Sequence, residues 1–189
     1  ITERDWSSDV CSSDLVVCTG NVCRSAFAAA YVGARLARID PGAFAVTSSG
    51  TGWHEGLRVP QQIHALADAH GVSLADHRGR YAVEDDFRSA DLILVATREH
   101  RSDVLRQTPS AMKRTFTIRE FAALLDLLGT RPGVDRQAWC DAVRDAANKR
   151  PSVQATDVPD PFGRAQSAYD DMAAAILPAL HTIVDHARP

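Results

Sequence analysis

The chain predicts an α/β fold: a single domain with a parallel four-stranded sheet and helices on both faces. Three observations carry this expectation. Short apolar runs of strand length alternate with segments of helical pattern, as βαβ units require. One run, ADLILVAT at residues 90–97, is apolar throughout, as suits a strand buried on both faces. And CTGNVCRS at 18–25 falls between a strand and a helix, the place where such sheets bind ligands beyond their strand ends.

Taken in order, Leu15-Val16-Val17 reads as the end of a buried strand, and the alanine-rich RSAFAAAYVGARLAR (24–38) as a helix with Phe27 and Tyr31 on one face. Asp40-Pro41-Gly42 is turn chemistry, and AFAVTSSG (43–50) a second strand. Residues 60–70 form a helix opened by Pro60 and stopped by Gly71. The run at 90–97 is the third strand, followed by a polar helix, REHRSDVLRQ. RTFTI (114–118) is the fourth, followed by a helix at 119–129 with Phe121, Leu124, Leu125 and Leu128 inward. Residues 130–156, with Pro132, Gly133, Pro151 and many charges around a helix at 135–148, read as a surface insertion. A last helix over about 165–187 stripes Met172, Ile176, Leu180 and Ile183, with Pro178 expected to kink or weaken it.

The chain has 189 residues, 45% of them hydrophobic and 24% charged, with a net charge of −3. That balance gives no reason to expect nucleic acid as a partner, and no polybasic run offers a membrane footing. No stretch approaches the ~18–20 apolar residues of a membrane span, and the N-terminus lacks the pattern of an export signal. Four cysteines, Cys11, Cys18, Cys23 and Cys140, are too few and scattered for a disulfide scaffold, so a reduced, cytoplasmic compartment is expected. The first residues are foreign in character. DWSSDVCSSDL (5–15) is what a common sequencing-library adapter encodes when translated. Residues 1–14 are therefore expected to be an artefactual leader, with the domain at 15–189 and no functional weight on Trp6 or Cys11.

Two cysteines around a Gly-Asn pair admit a disulfide, a metal site or a phosphate-gripping loop. The form C-x5-R-S favours the last. It places the Cys18 thiol in a tight loop whose amides can converge on an anion, with the positive end of the following helix aimed at the same point. The combination favours the thiolate, the form of sulfur that attacks. Arg24 offers a planar fork suited to phosphate oxygens. Gly20 and Asn21 tolerate left-handed backbone, and Ser25 can donate to the sulfur. Expelling an alkoxide from phosphate also needs a proton donor, and DVPDPFG (157–163) supplies Asp160 between two prolines.

Together, VCTGNVCRS and DPFG resemble the low-molecular-weight protein tyrosine phosphatases, as do SSGTGWHEG at 48–56 and ADLILVATREHRSDV at 90–104. The resemblance runs from about residue 15 to 188. It implies a metal-free, cofactor-free hydrolysis of phosphomonoesters through a phosphocysteine, with Cys18 as nucleophile, Arg24 as oxyanion clamp and Asp160 as acid then base. It further implies that Thr19, Gly20, Asn21, Val22, Cys23 and Ser25 bind substrate as the loop. By the same resemblance Asn21 is braced by Ser49 and His77, Trp53 lines the pocket entrance, and Phe162 packs on the substrate ring. Cys23 matches a neighbour that can close a protective disulfide with the nucleophile, though a small buried residue is an equal reading. Ala26 departs from the proline usual in the family. His100 and the other histidines are read as surface or structural residues.

The expected partner is a phosphotyrosine protein or a small aryl phosphate, with at most weak self-association. The nearest rival is a thiol-coupled arsenate reductase of the same fold, weakened because residues 24–139 hold no cysteine. A phosphoester-binding module without turnover is a second rival. A zinc site lacks C-x2-C spacing, and no G-x-x-x-x-G-K-[ST] occurs to support a nucleotidase.

Overall fold

A computed structural model describes residues 12–154 and 156–188. Four strands, β1 (Ser12–Cys18), β2 (Phe44–Gly50), β3 (Leu92–Val95) and β4 (Thr115–Thr117), form one parallel sheet in the order β2-β1-β3-β4. Strand β1 is central and pairs with β2 from Ser12↔Phe44 to Cys18↔Gly50, and with β3 from Asp14↔Leu92 to Val17↔Val95. The chain winds one way from β1 to β2 and the other way to β3. The end of β1 is thus the switch point where open α/β sheets hold ligands.

Of the expected leader, residues 1–14, the stretch 1–11 lies outside the described residues, which begin at Ser12. From there the chain already belongs to the sheet, so paired structure begins before the boundary expected at Leu15. Asp14 is buried and Ser13 N donates to Asp91 Oδ2 at 3.1 Å.

Alternate residues of a strand face opposite sides, and the core divides accordingly. Val16, Leu92, Leu94 and Phe116 face α1 (Arg24–Ile39), α2 (Gln61–Ala69), α5 (Ile118–Leu128), α6 (Arg136–Lys149) and α7 (Gln166–His186). Leu15, Val17, Ile93 and Val95 face α3 (Glu84–Ser89), α4 (Arg98–Gln107) and a 3-10 turn at Pro109–Arg114. Helix α5 starts at a reciprocal cap, Thr117 Oγ1 taking Glu120 N and Glu120 Oε2 taking Thr117 N, both at 3.1 Å. Helix α7 runs unbroken through Pro178 with its expected stripe buried. Pro178 lies on the exposed side.

One expectation needs correction. The segment 130–156 is more than a surface insertion, because α6 drives Trp139 fully into the core. Its ring meets Phe44 edge-on at 5.3 Å and Phe121 at 6.1 Å. Truncating such a residue costs about 3–5 kcal/mol, so the segment is a structural layer. Among the described residues no helix is long and apolar enough to cross a membrane.

Candidate active site

The loop from Cys18 to Arg24 is shaped by where its carbonyls go. Cys18 O accepts from Thr51 N at 2.9 Å, Thr19 O from Gly52 N at 2.9 Å, and Asn21 O from His77 Nε2 at 2.8 Å. In a trans peptide the N–H points opposite the C=O. With these carbonyls committed outward, the N–H groups of Thr19, Gly20 and Val22 face the concave side, as an anion nest requires. The close approach to β2 depends on Gly50, where any Cβ would collide with the Thr19 carbonyl oxygen. Helix α1 then begins with no side-chain cap and no acid in its first turn, leaving its terminal N–H groups and positive end to the same concavity.

Asn21 is the keystone. It is fully buried with φ of 52°, the left-handed region that L residues avoid. Its side chain holds it there: Nδ2 donates to Ser25 Oγ and Ser48 Oγ, both at 2.9 Å, and Oδ1 accepts from Arg80 N at 3.1 Å. Of the two residues expected to take left-handed backbone, only Asn21 does.

Cys18 Sγ lies 3.0 Å from Ser25 Oγ. Since Ser25 already accepts from Asn21, its proton is free, and the sulfur is a nearer acceptor than Ser49 O at 3.5 Å. Arg24 is buried, and its NH2 donates to Asp160 Oδ2 at 2.7 Å and Thr19 Oγ1 at 3.4 Å. Arg24 Nε is buried without a partner among the described residues. Cys18, Thr19, Gly20, Val22, Cys23, Arg24, Asp160 and Phe162 line one cavity of about 180 Å³. The Asp160 side chain is 42% exposed and Phe162 48%, so both stand at the mouth. Burial, and next the nearby Cys18 sulfur, push the Cys23 thiol up to about 12, which keeps it protonated.

Two expected placements differ. Trp53 does not line this cavity; it lies in the neighbouring one, its indole against Gly79, where a Cβ would fall 2.6 Å from Nε1. Gly52, His54 and Leu57 take the wall instead. Asn21 is braced through the Ser48 hydroxyl and not through Ser49. Ser48 pairs in register with Val16 and shares its face with α1, while Ser49, one residue on, turns the other way. His77 does brace the loop, but through the Asn21 carbonyl.

Sequence reasoning also missed His100. It is 5% exposed and bridges two hydroxyls, with Nε2 2.9 Å from Thr19 Oγ1 and Nδ1 2.7 Å from Thr97 Oγ1. Burial, with Arg24 second, lowers its pKa from 6.5 to about 4, so it is neutral. The signal available was T-x-x-H at the end of β3, a threonine N-cap with a histidine in the first turn. Among the described residues no group of three or more His, Cys, Asp or Glu could hold a metal.

With this geometry in hand, known proteins supply a comparison. Residues 14–127 match the low molecular weight phosphotyrosine protein phosphatase family. Low molecular weight protein-tyrosine phosphatase A of Mycobacterium tuberculosis is 31% identical over 174 residues, 89% of each chain. The solved YwlE arginine phosphatase from Geobacillus stearothermophilus superposes with a TM-score of 0.68 at 23% identity, over 92% of this chain and 91% of that one. The tyrosine phosphatase Wzb from Escherichia coli K30, solved with sulphate, gives 0.65 at 22% identity, over 93% and 98%.

Proposed function

Because the chain belongs to the low molecular weight protein-tyrosine phosphatases, a family of cysteine-dependent phosphomonoester hydrolases, we propose that Cys18, Arg24 and Asp160 carry its chemistry on phosphotyrosine or a small aryl phosphate. The observation that carries this reading is their convergence, from opposite ends of the chain, on one cavity.

The phosphoryl group seats on the loop amides and the Arg24 fork, replacing Asp160 as the partner of NH2 and giving the buried Nε an acceptor. Cys18 Sγ attacks phosphorus, and the bond to the leaving oxygen breaks as protonated Asp160 gives that oxygen its proton. The phenol departs and a phosphocysteine remains. Water then attacks phosphorus and passes a proton to the Asp160 carboxylate. The S–P bond breaks, its electron pair returns to sulfur with the Ser25 hydroxyl donating to it, and inorganic phosphate leaves. Phe162 at the mouth offers a face for an aromatic leaving group.

The test is Cys18→Ser. It should abolish hydrolysis of p-nitrophenyl phosphate while vanadate still binds, measured by calorimetry; surviving turnover would remove the nucleophile assignment.

A further inference from the structure

Beside the reaction pocket lies a larger cavity of about 540 Å³. The two share Val22 and Leu57, so a wall of two apolar side chains separates them. Its lining is cationic. Arg58 and Arg78 both line it, together with His64 and Trp53. Each arginine spends NH1 on nearby backbone: Arg58 on Leu57 O at 3.1 Å, Arg78 on Ala75 O at 3.2 Å and His77 O at 2.9 Å. Neither forms an ion pair among the described residues.

That sets them apart from Arg24, Arg80, Arg98, Arg136 and Arg150, all paired with carboxylates. In a chain of net charge −3, two such guanidiniums in one concavity make a local positive field. Trp53 Nε1 adds a buried donor without a partner among the described residues.

Resting on the phosphatase reading above, we propose that this cavity is a substrate subsite for a carboxylate side chain flanking the phosphorylated residue. An extended peptide advances about 3.4 Å per residue. With its phosphoryl group on the loop, an acidic side chain within about three residues can cross the Val22–Leu57 wall and meet both arginines. Trp53 and Val59 give its methylene stem an apolar bed.

The experiment compares phosphotyrosine peptides that differ only in flanking Glu, Gln or Lys, with p-nitrophenyl phosphate alongside. They are assayed on the unaltered protein and on the Arg58→Gln/Arg78→Gln double variant. The Glu peptide should be preferred over Gln by about 3- to 10-fold in kcat/KM, the size of one or two exposed ion pairs. The preference should lie in KM, shrink with added salt, and vanish in the double variant while p-nitrophenyl phosphate turnover holds. No preference in the unaltered protein, or one that survives both substitutions, overturns the subsite. So does a parallel fall with p-nitrophenyl phosphate, since the arginines would then serve the reaction pocket. If the unaltered protein hydrolyses no p-nitrophenyl phosphate, the phosphatase reading itself fails and the subsite falls with it.

Discussion

The two halves of the site are built in opposite ways. In the loop Cys18–Ser25 all but Thr19 and Gly20 are buried, and every polar group of the Asn21 side chain is bonded. The segment bearing Asp160 is anchored by backbone upstream, where Val158 N donates to Ala96 O at 2.9 Å and Arg98 N to Asp157 Oδ1 at 2.8 Å, while Asp160 itself is held by the side chain of Arg24. Beyond that, Asp160 and Phe162 stand half exposed. The difference follows the chemistry. Holding developing charge on phosphorus needs dipoles fixed beforehand, which water cannot supply without reorganising. Giving a proton and taking one back needs a carboxyl that can release Arg24 and turn.

Substitutions in each half should therefore fail differently. After the loss expected from Cys18→Ser, the largest effect on rate alone is expected from Asp160→Asn. Hydrolysis of phenyl phosphate should fall about 10²- to 10⁴-fold, less for p-nitrophenyl phosphate, with the melting temperature nearly unchanged. Equal loss across leaving groups would break the contrast. In the rigid half, Asn21→Ala should lose stability and rate together. It strips three bonds and leaves alanine in left-handed backbone, a cost of about 2–4 kcal/mol read from urea unfolding.

Acid should loosen the rigid half through His100. Its folded value, about 4, lies below 6.5, so the unfolded chain binds the proton more readily. Its contribution is complete above pH ~6.5 and is lost as pH falls toward 4, on the order of 3 kcal/mol at most. Arg24 and the carboxylates Asp103, Asp157 and Asp160 act on the same ring. Comparison with His100→Gln isolates its share; an identical pH profile in the variant would remove it. The smallest effect is expected from Arg98→Ala, which loosens the upstream anchor of the acid. The pair is exposed, so stability should move by less than about 1 kcal/mol. Single-turnover kinetics should show a slower first step and unaltered vanadate affinity.

Much of this was legible because it is local. The four strands, the thiol loop and the acid between two prolines each follow from contiguous residues. What escaped depends on partners far along the chain. Helix α3 has one apolar anchor, Phe87, in six residues, too little to show a period. In α6 the charges that suggested surface share the helix with Trp139, whose receiving site is made by Phe44 and Phe121. His100 looks like one more polar residue of a polar helix until Thr19 is brought against it. Ser48 and Ser49 differ only in which way β2 turns them, and register is not written in two adjacent serines.

The contact between Arg24 and Asp160 spans 136 positions of the chain. No short fragment can contain it, and nearly the whole polypeptide must be correctly threaded before turnover begins. Regain of catalysis after dilution from urea should consequently trail regain of helical ellipticity, making enzymatic rate a stricter gauge of complete renaturation than circular dichroism.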